Sequence, residues 1–326
     1  MIIDSFESLT PAGYLSLARR LRDETAEGTP VKLALLSSNS FSFIEPYLVV
    51  ECARRGMSAS IWTSPFGQIE QAIVDSDTGI PTVDPDVIVV AMRIEDVFSD
   101  AFLRPGGAQL RQRANDCIER LEQCVSSIRN VSDATVLVAN FAAPHISSHA
   151  GILDANDDNA PARIVDEANI ELATRIADKA SVLVWDYSGL VHSRGSAQWT
   201  DGRLWCLARH PIAAANLPHT ASHLARSIAA TVFQPAKCLV LDLDNTLWGG
   251  VAGDDGIRGI QTGDDYPGNM FRAFQSAVLG IKDRGVLLGI ASKNDEAVIT
   301  EIFNNHPDLV MRWDDFAIAK INWEPK

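Results

Sequence analysis

The feature that most constrains this chain is a rhythm. Short, mostly apolar runs alternate with longer stretches of helical spacing. VKLALL (31–36), SASIWT (58–63), PDVIVVAM (85–92), ATVLVAN (134–140) and SVLVW (181–185) are rich in the residues that favour strands. Between them, 11–25, 44–55, 105–129, 161–179 and 217–233 read as helices, and Gly56 stops the second of these. Strands that return through helices must run parallel, which requires helices on both faces of the sheet. Residues 1–234 are therefore expected to form a doubly wound, flavodoxin-like α/β domain. Residues 186–216, rich in Gly, Ser, Trp and Arg, read as irregular.

A second series starts near Pro235, giving an expected second domain at 235–326. KCLVLDLD (237–244) reads as an apolar strand ending in carboxylates. VLLGIAS (286–292) reads as the next strand, and DDFAIAKINW reaches a third. The helix before VLLGIAS is expected to put Phe271, Phe274, Val278 and Ile281 on one face. Only about twenty residues separate Asp244 from that helix, too few for a large cap. An open site of this kind suits a macromolecular partner or a lid from elsewhere.

Composition narrows the function. Lys and Arg number 28 against 42 Asp and Glu, a net charge of -14, which opposes general nucleic-acid binding. No apolar run approaches the ~18 residues of a membrane helix, and the N-terminus lacks the order of a signal peptide. A cytoplasmic location is expected. The five cysteines, Cys52, Cys117, Cys124, Cys206 and Cys238, form no CxxC pair and no disulfide framework.

Ligands of open parallel sheets sit at the carboxyl ends of the strands. Asp242 and Asp244 lie there, two apart and so on one face of the strand. Paired carboxylates repel each other, and a hard cation such as Mg²⁺ relieves this while neutralising phosphate. One carboxylate then attacks phosphorus and the other works as acid and base. Gly249 and Gly250 allow a sharp turn, and Ser292 ends the next strand where a hydroxyl reaches a phosphate. The plainer reading, a strand followed by an Asx turn, would suffice for a lone DxD.

The strings KCLVLDLDNTLWGG, SKN (292–294) and INWEPK (321–326) resemble the FkbH-like branch of the haloacid dehalogenase superfamily. The segments LLSSNSF, GQIEQAIVDSDTGI, PDVIVVAM and RLWCLARHP resemble the degenerate SGNH-hydrolase-like domain that precedes it. The resemblance implies an SGNH-like domain followed by a Rossmannoid phosphatase-like domain. It implies Asp242 as nucleophile, Asp244 as acid/base, Ser292 as the second motif and Lys326 as the charge-balancing lysine, with Lys320 and Lys293 as competitors. Thr246, Gly249, Gly250 and Asn294 are expected on the substrate side. Mg²⁺ is the implied cofactor, held by Asp242 and Asp244, with the Asp244 main-chain carbonyl assisting.

Such proteins load a glyceryl unit from 1,3-bisphosphoglycerate onto an acyl carrier protein in its phosphopantetheine form, for polyketide-type biosynthesis. A phosphorylated three-carbon molecule and a carrier protein are thus the implied partners. A Mg²⁺-dependent small-molecule phosphatase and a non-catalytic carrier-docking scaffold are the alternatives. The superfamily's last acidic pair would follow Lys326, so weak Mg²⁺ binding is expected. Without the strands that would follow, the Asp242 strand is an apolar sheet edge, which implies a truncated form or a covering chain.

A thioester route needs a thiol. Cys238 is in the motif but four residues, about 13 Å, from Asp242, and is expected to be buried. Cys206 has better access. In the first domain, Ser37, Ser38 and Ser40 follow the first strand without the Gly-Asp-Ser of active hydrolases. Glu95 and Asp96 replace a Gly-x-Asn-Asp, and Asp201 and His210 are too far apart in sequence for the usual pair. A docking role is expected there. His145 and His149 read as loop histidines, and Arg194, Arg203 and Arg209 as either a binding cluster or ordinary surface.

Overall fold

The computed structural model describes residues 9–23, 27–94, 107–143, 152 and 154–323. Contacts divide it into two units, Met1–Phe233 and Gln234–Lys326.

In the first unit, the apolar runs become five parallel strands: β1 (Thr29–Ser37), β2 (Met57–Thr63), β3 (Val87–Ala91), β4 (Thr135–Ala139) and β5 (Val182–Trp185). Their order is β2-β1-β3-β4-β5, the flavodoxin-like order. The connecting helices are α1 (Pro11–Asp23), α2 (Glu45–Ala53), α3 (Ile69–Val74), α4 (Ile80–Val83), α5 (Gly107–Val131) and α6 (Pro161–Ile176). Alternate residues of β1 and β3 enter two separate cores, one on each sheet face. Ala34, Leu36, Ile88 and Val90 pack on one side, and Leu33, Leu35, Val87 and Val89 on the other. This two-sided burial is why the runs are nearly all apolar.

The stretch expected to be irregular contains two helices, α7 (Tyr187–Arg194) and α8 (Gly202–Ala208), before α9 (Leu217–Val232). Aspartates start both. Asp186 accepts the Gly189 N–H, and Asp201 accepts those of Arg203 and Leu204. Caps of this kind stabilise helices too short to show apolar periodicity.

The second unit holds three parallel strands in sequential order, β6 (Cys238–Leu241), β7 (Leu287–Ser292) and β8 (Ile318–Ile321). Helices α10 (Ala252–Gly259), α11 (Gly268–Lys282) and α12 (Glu296–Asn305) complete it. Leu241, Leu288 and Ile290 pack into the core with Trp248, Ile299 and Phe303. The other face is open: Val240 (58% exposed) and Ile318 (66%) flank Gly289, and Leu287 lies beside Cys238.

On α11, Val278 is buried as expected, but Phe274 and Ile281 are exposed and Gln275 is fully buried. Gln275 holds that position by satisfying main-chain groups. Its amide donates to the Leu247 carbonyl (2.8 Å) and its Oε1 accepts the Val310 N–H (2.9 Å). No helix among the described residues is long and apolar enough to cross a membrane.

Candidate active site

The ladder between β6 and β7 ends at the Leu241–Ile290 pair. Asp242 and Asp244 were expected within the strand and instead lie just past it. The alternation persists, with Asp242 exposed, Leu243 buried and Asp244 half-buried, so the two carboxylates keep the same side. The chain then turns. Thr246 and Leu247 donate their N–H groups to the Leu243 carbonyl (3.1 and 2.8 Å). Asn245 adopts φ 53°, and its Oδ1 accepts the Gly250 N–H (3.0 Å). Gly249 exchanges two main-chain hydrogen bonds with Gln261 (3.0 and 2.7 Å). A Cβ there would fall 2.8 Å from both Gln261 Oε1 and Phe271 Cε2, so any larger residue would displace those side chains. Gly250 has φ 93°, a conformation glycine adopts without strain.

Asp244 is the anchored member of the pair. Its Oδ1 accepts the Trp248 indole N–H (3.0 Å) and the Ala252 main-chain N–H at the start of α10 (3.0 Å). Its Oδ2 accepts the Asn294 amide (2.9 Å). The same amide nitrogen donates to Ser292 Oγ (3.0 Å). Ser292 ends β7, and both Ser292 (3% exposed) and Asn294 (2%) are buried. One amide thus joins the ends of two strands fifty residues apart in sequence. Asp242 differs: it is exposed, and its Oδ1 accepts the Leu243 N–H (2.9 Å). The geometry is a fixed carboxylate beside an accessible one.

An all-oxygen pair of carboxylates suits a hard divalent cation, and Mg²⁺ commonly uses only one or two carboxylates and keeps several waters. The residues present fit such a site as a minimal donor set. Among the described residues, no group of three or more His, Cys, Asp or Glu side chains converges on one point.

Lys326 lies outside the described residues, as do His145, His149, Glu95 and Asp96. Lys320 stands on β8, and Lys293 is exposed directly after Ser292. Cys238 was expected to be buried and is exposed, because it opens a strand at the edge of a sheet with one uncovered face. It sits at the opposite end of β6 from Asp242. Cys206 is also exposed, while Cys52, Cys117 and Cys124 are buried. Burial pushes the Cys52 and Cys124 thiols up to about 12.

At the carboxyl ends of β1 and β3, the serines serve the main chain. Ser37 Oγ donates to the Ala91 carbonyl (3.1 Å) and accepts the Asn39 N–H (3.2 Å), and Ser40 Oγ donates to the Ala208 carbonyl (2.6 Å). Ser38 Oγ accepts the Arg93 N–H (3.0 Å). His210 is buried, with Nδ1 2.9 Å from the Ser40 carbonyl. Burial, with the Arg93 charge, holds its imidazole below the usual histidine range. The arginines do not share one setting: Arg194 contacts His219 (2.7 Å), whereas Arg209 and Arg93 both stack on Trp205 (5.1 and 5.4 Å).

Residues 32–228, more than half the chain, match the family described as FkbH, N-terminal domain. The chain belongs to the FkbH family. Across 95% of its length, this FkbH-family chain is similar to the N-terminal part of the protein BF1531 from Bacteroides fragilis, a crystal structure containing a phosphatase domain complexed with Mg. Identity is 25%, the TM-score is 0.82, and 81% of that chain is covered. A weaker likeness is to a catalytic mutant of Axe2, an acetylxylan esterase from Geobacillus stearothermophilus. There the identity is 12% and the TM-score 0.42, covering 62% of this chain and 96% of that one. No curated protein matches the chain.

Proposed function

We propose that this FkbH-family chain handles a phosphorylated three-carbon acyl donor, removing phosphate at Asp242 and serving glyceryl transfer to an acyl carrier protein. The observation that carries the reading is the unequal carboxylate pair: Asp244 held by three donors, and Asp242 exposed beside it at the end of β6. The likeness to a structure that contains a phosphatase domain and Mg supports it.

In the phosphate-removing half, a carboxylate oxygen of Asp242 attacks phosphorus while the bond to the leaving oxygen breaks. Asp244 gives that oxygen its proton. A water then attacks the phosphorus of the aspartyl phosphate, its proton passes to Asp244, and the Asp242 oxygen is released. The hydroxyl of Ser292 is placed to meet a phosphate oxygen. Mg²⁺ would be held by the Asp242 carboxylate with the Asp244 main-chain carbonyl assisting, and would neutralise phosphate charge when bound. In the transfer half, the carrier's thiolate attacks the acyl carbon, a C–S bond forms, the C–O bond to phosphate breaks, and phosphate leaves. The first unit is read as a binding module, in which the hydroxyls of Ser37 and Ser40 donate to main-chain carbonyls.

The test is intact mass spectrometry of a phosphopantetheine-bearing carrier protein incubated with the chain, Mg²⁺ and a 1,3-bisphosphoglycerate-generating mixture. A glyceryl mass is expected with the wild type, and either no adduct or a phosphoglyceryl adduct with Asp242→Asn. An Asp242→Asn product identical to that of the wild type would refute the role given to Asp242.

A further inference from the structure

We infer that Trp248 and Asn294 are positioning residues that confine the working proton of Asp244 to a single place, the open lone pair of Oδ2. This rests on the phosphoryl-transfer reading above. A carboxylate offers about four lone-pair positions, two on each oxygen. Oδ1 accepts two N–H groups, from Trp248 and Ala252, and so is full. Oδ2 accepts one, from Asn294. One position remains, and the exchanged proton goes there.

The two positioning side chains are themselves immobilised. Trp248 is fully buried and meets Phe303 edge-on at 5.8 Å, and Phe303 in turn packs edge-on against Trp313 and Phe316, both at 5.6 Å. The ring cannot turn its N–H elsewhere without disturbing that aromatic group. Asn294 is oriented by its neighbours: exchanging its amide oxygen and nitrogen would set an acceptor against Asp244 Oδ2, which only accepts when ionised. Its two amide hydrogens are therefore divided between Asp244 and Ser292. Ser292 Oγ accepts from that amide, which leaves its own hydrogen to donate to a ligand oxygen.

A misplaced proton matters in proportion to how badly the leaving oxygen needs it. The test compares kcat/KM for an alkyl phosphate monoester, whose alkoxide leaves poorly, and for p-nitrophenyl phosphate, whose phenolate leaves unaided. Trp248→Phe keeps an aromatic side chain but removes the indole N–H together with part of the buried ring, so the ratio between the two esters, not either loss alone, is the readout. The substitution is expected to lower alkyl phosphate turnover about tenfold, a part of the roughly 10²–10⁴-fold that general acid catalysis contributes, while the nitrophenyl ester loses under about threefold. Asn294→Ala, which also frees Ser292, is expected to impair both esters, and the alkyl one more. Equal losses on the two esters in Trp248→Phe would overturn the inference and make Trp248 a packing residue. If the wild type turns over neither ester, the phosphoryl-transfer reading fails, and the inference fails with it.

Discussion

At the scale of single residues, several polar groups buried among the described residues are held by more than one partner. Glu51 on α2 is the clearest. Its carboxylate accepts the Tyr14 hydroxyl and one nitrogen each of Arg54 and Arg55, all at 2.8 Å, and Arg55 reaches on to Ser222 of α9 (2.9 Å). Burial works against the charge, but the hydrogen bonds from Arg55 and Tyr14 and the charge of Arg54 prevail, so its pKa lies below the usual 4.5. The unfolded chain therefore binds this proton more readily. The stabilisation is complete above pH 4.5 and is lost as the pH falls through the depressed native value. Glu51→Gln should lower stability by about 3 kcal/mol at neutral pH, because it leaves two arginines without their partner. Urea unfolding should show that gap narrowing below pH 4.5, and a gap independent of pH would contradict the assignment. The Asp242–Asp244 spacing and Ser292 were legible in the sequence. The indole bond was not read, although a buried tryptophan four residues from a carboxylate needs a partner for its N–H.

Among the elements, the strands were legible and the short helices were not. The strands announce themselves because both faces of the five-stranded sheet are buried. α7 and α8 depend on Asp186 and Asp201 at their starts, a signal carried by one residue rather than by a periodic face. The face of α11 was misjudged for a related reason: Gln275 takes a core position that an apolar residue was expected to fill. It ties α11 to the carbonyl that precedes Trp248 and to the main chain at Val310 and Met311. Gln275→Leu matches the volume but removes the partner of the Leu247 carbonyl and of the Val310 N–H, and the longer bond from the Met311 N–H. The expected cost is about 2–6 kcal/mol, from the Leu247 carbonyl and the Val310 N–H at about 1–3 each, read from thermal or urea unfolding. A neutral or stabilising result would mean that the loop after Asp244 is held by packing alone. Cys238 was misjudged because burial on both faces was assumed for β6 as it holds for β1.

For the molecule as a whole, the family match covers the first unit, while the carboxylate pair lies in the second. The units meet in sequence at Gln234, Pro235, Ala236 and Lys237, all exposed and outside any helix or strand. A protease acting under native conditions should cut this connector first and yield two resistant fragments, followed by gel and mass analysis. Degradation with no such pair would show that the two units do not hold together separately. Net charge and composition carry no information about which unit a partner would meet.

Trp248 has one more consequence. An indole whose only polar atom touches the Asp244 carboxylate is an optical reporter built into the site. The difference in emission between the wild type and Trp248→Phe isolates that ring from the other six tryptophans of the chain. Followed as Mg²⁺ or inorganic phosphate is added, that difference spectrum reads occupation of the site with no turnover in the cuvette.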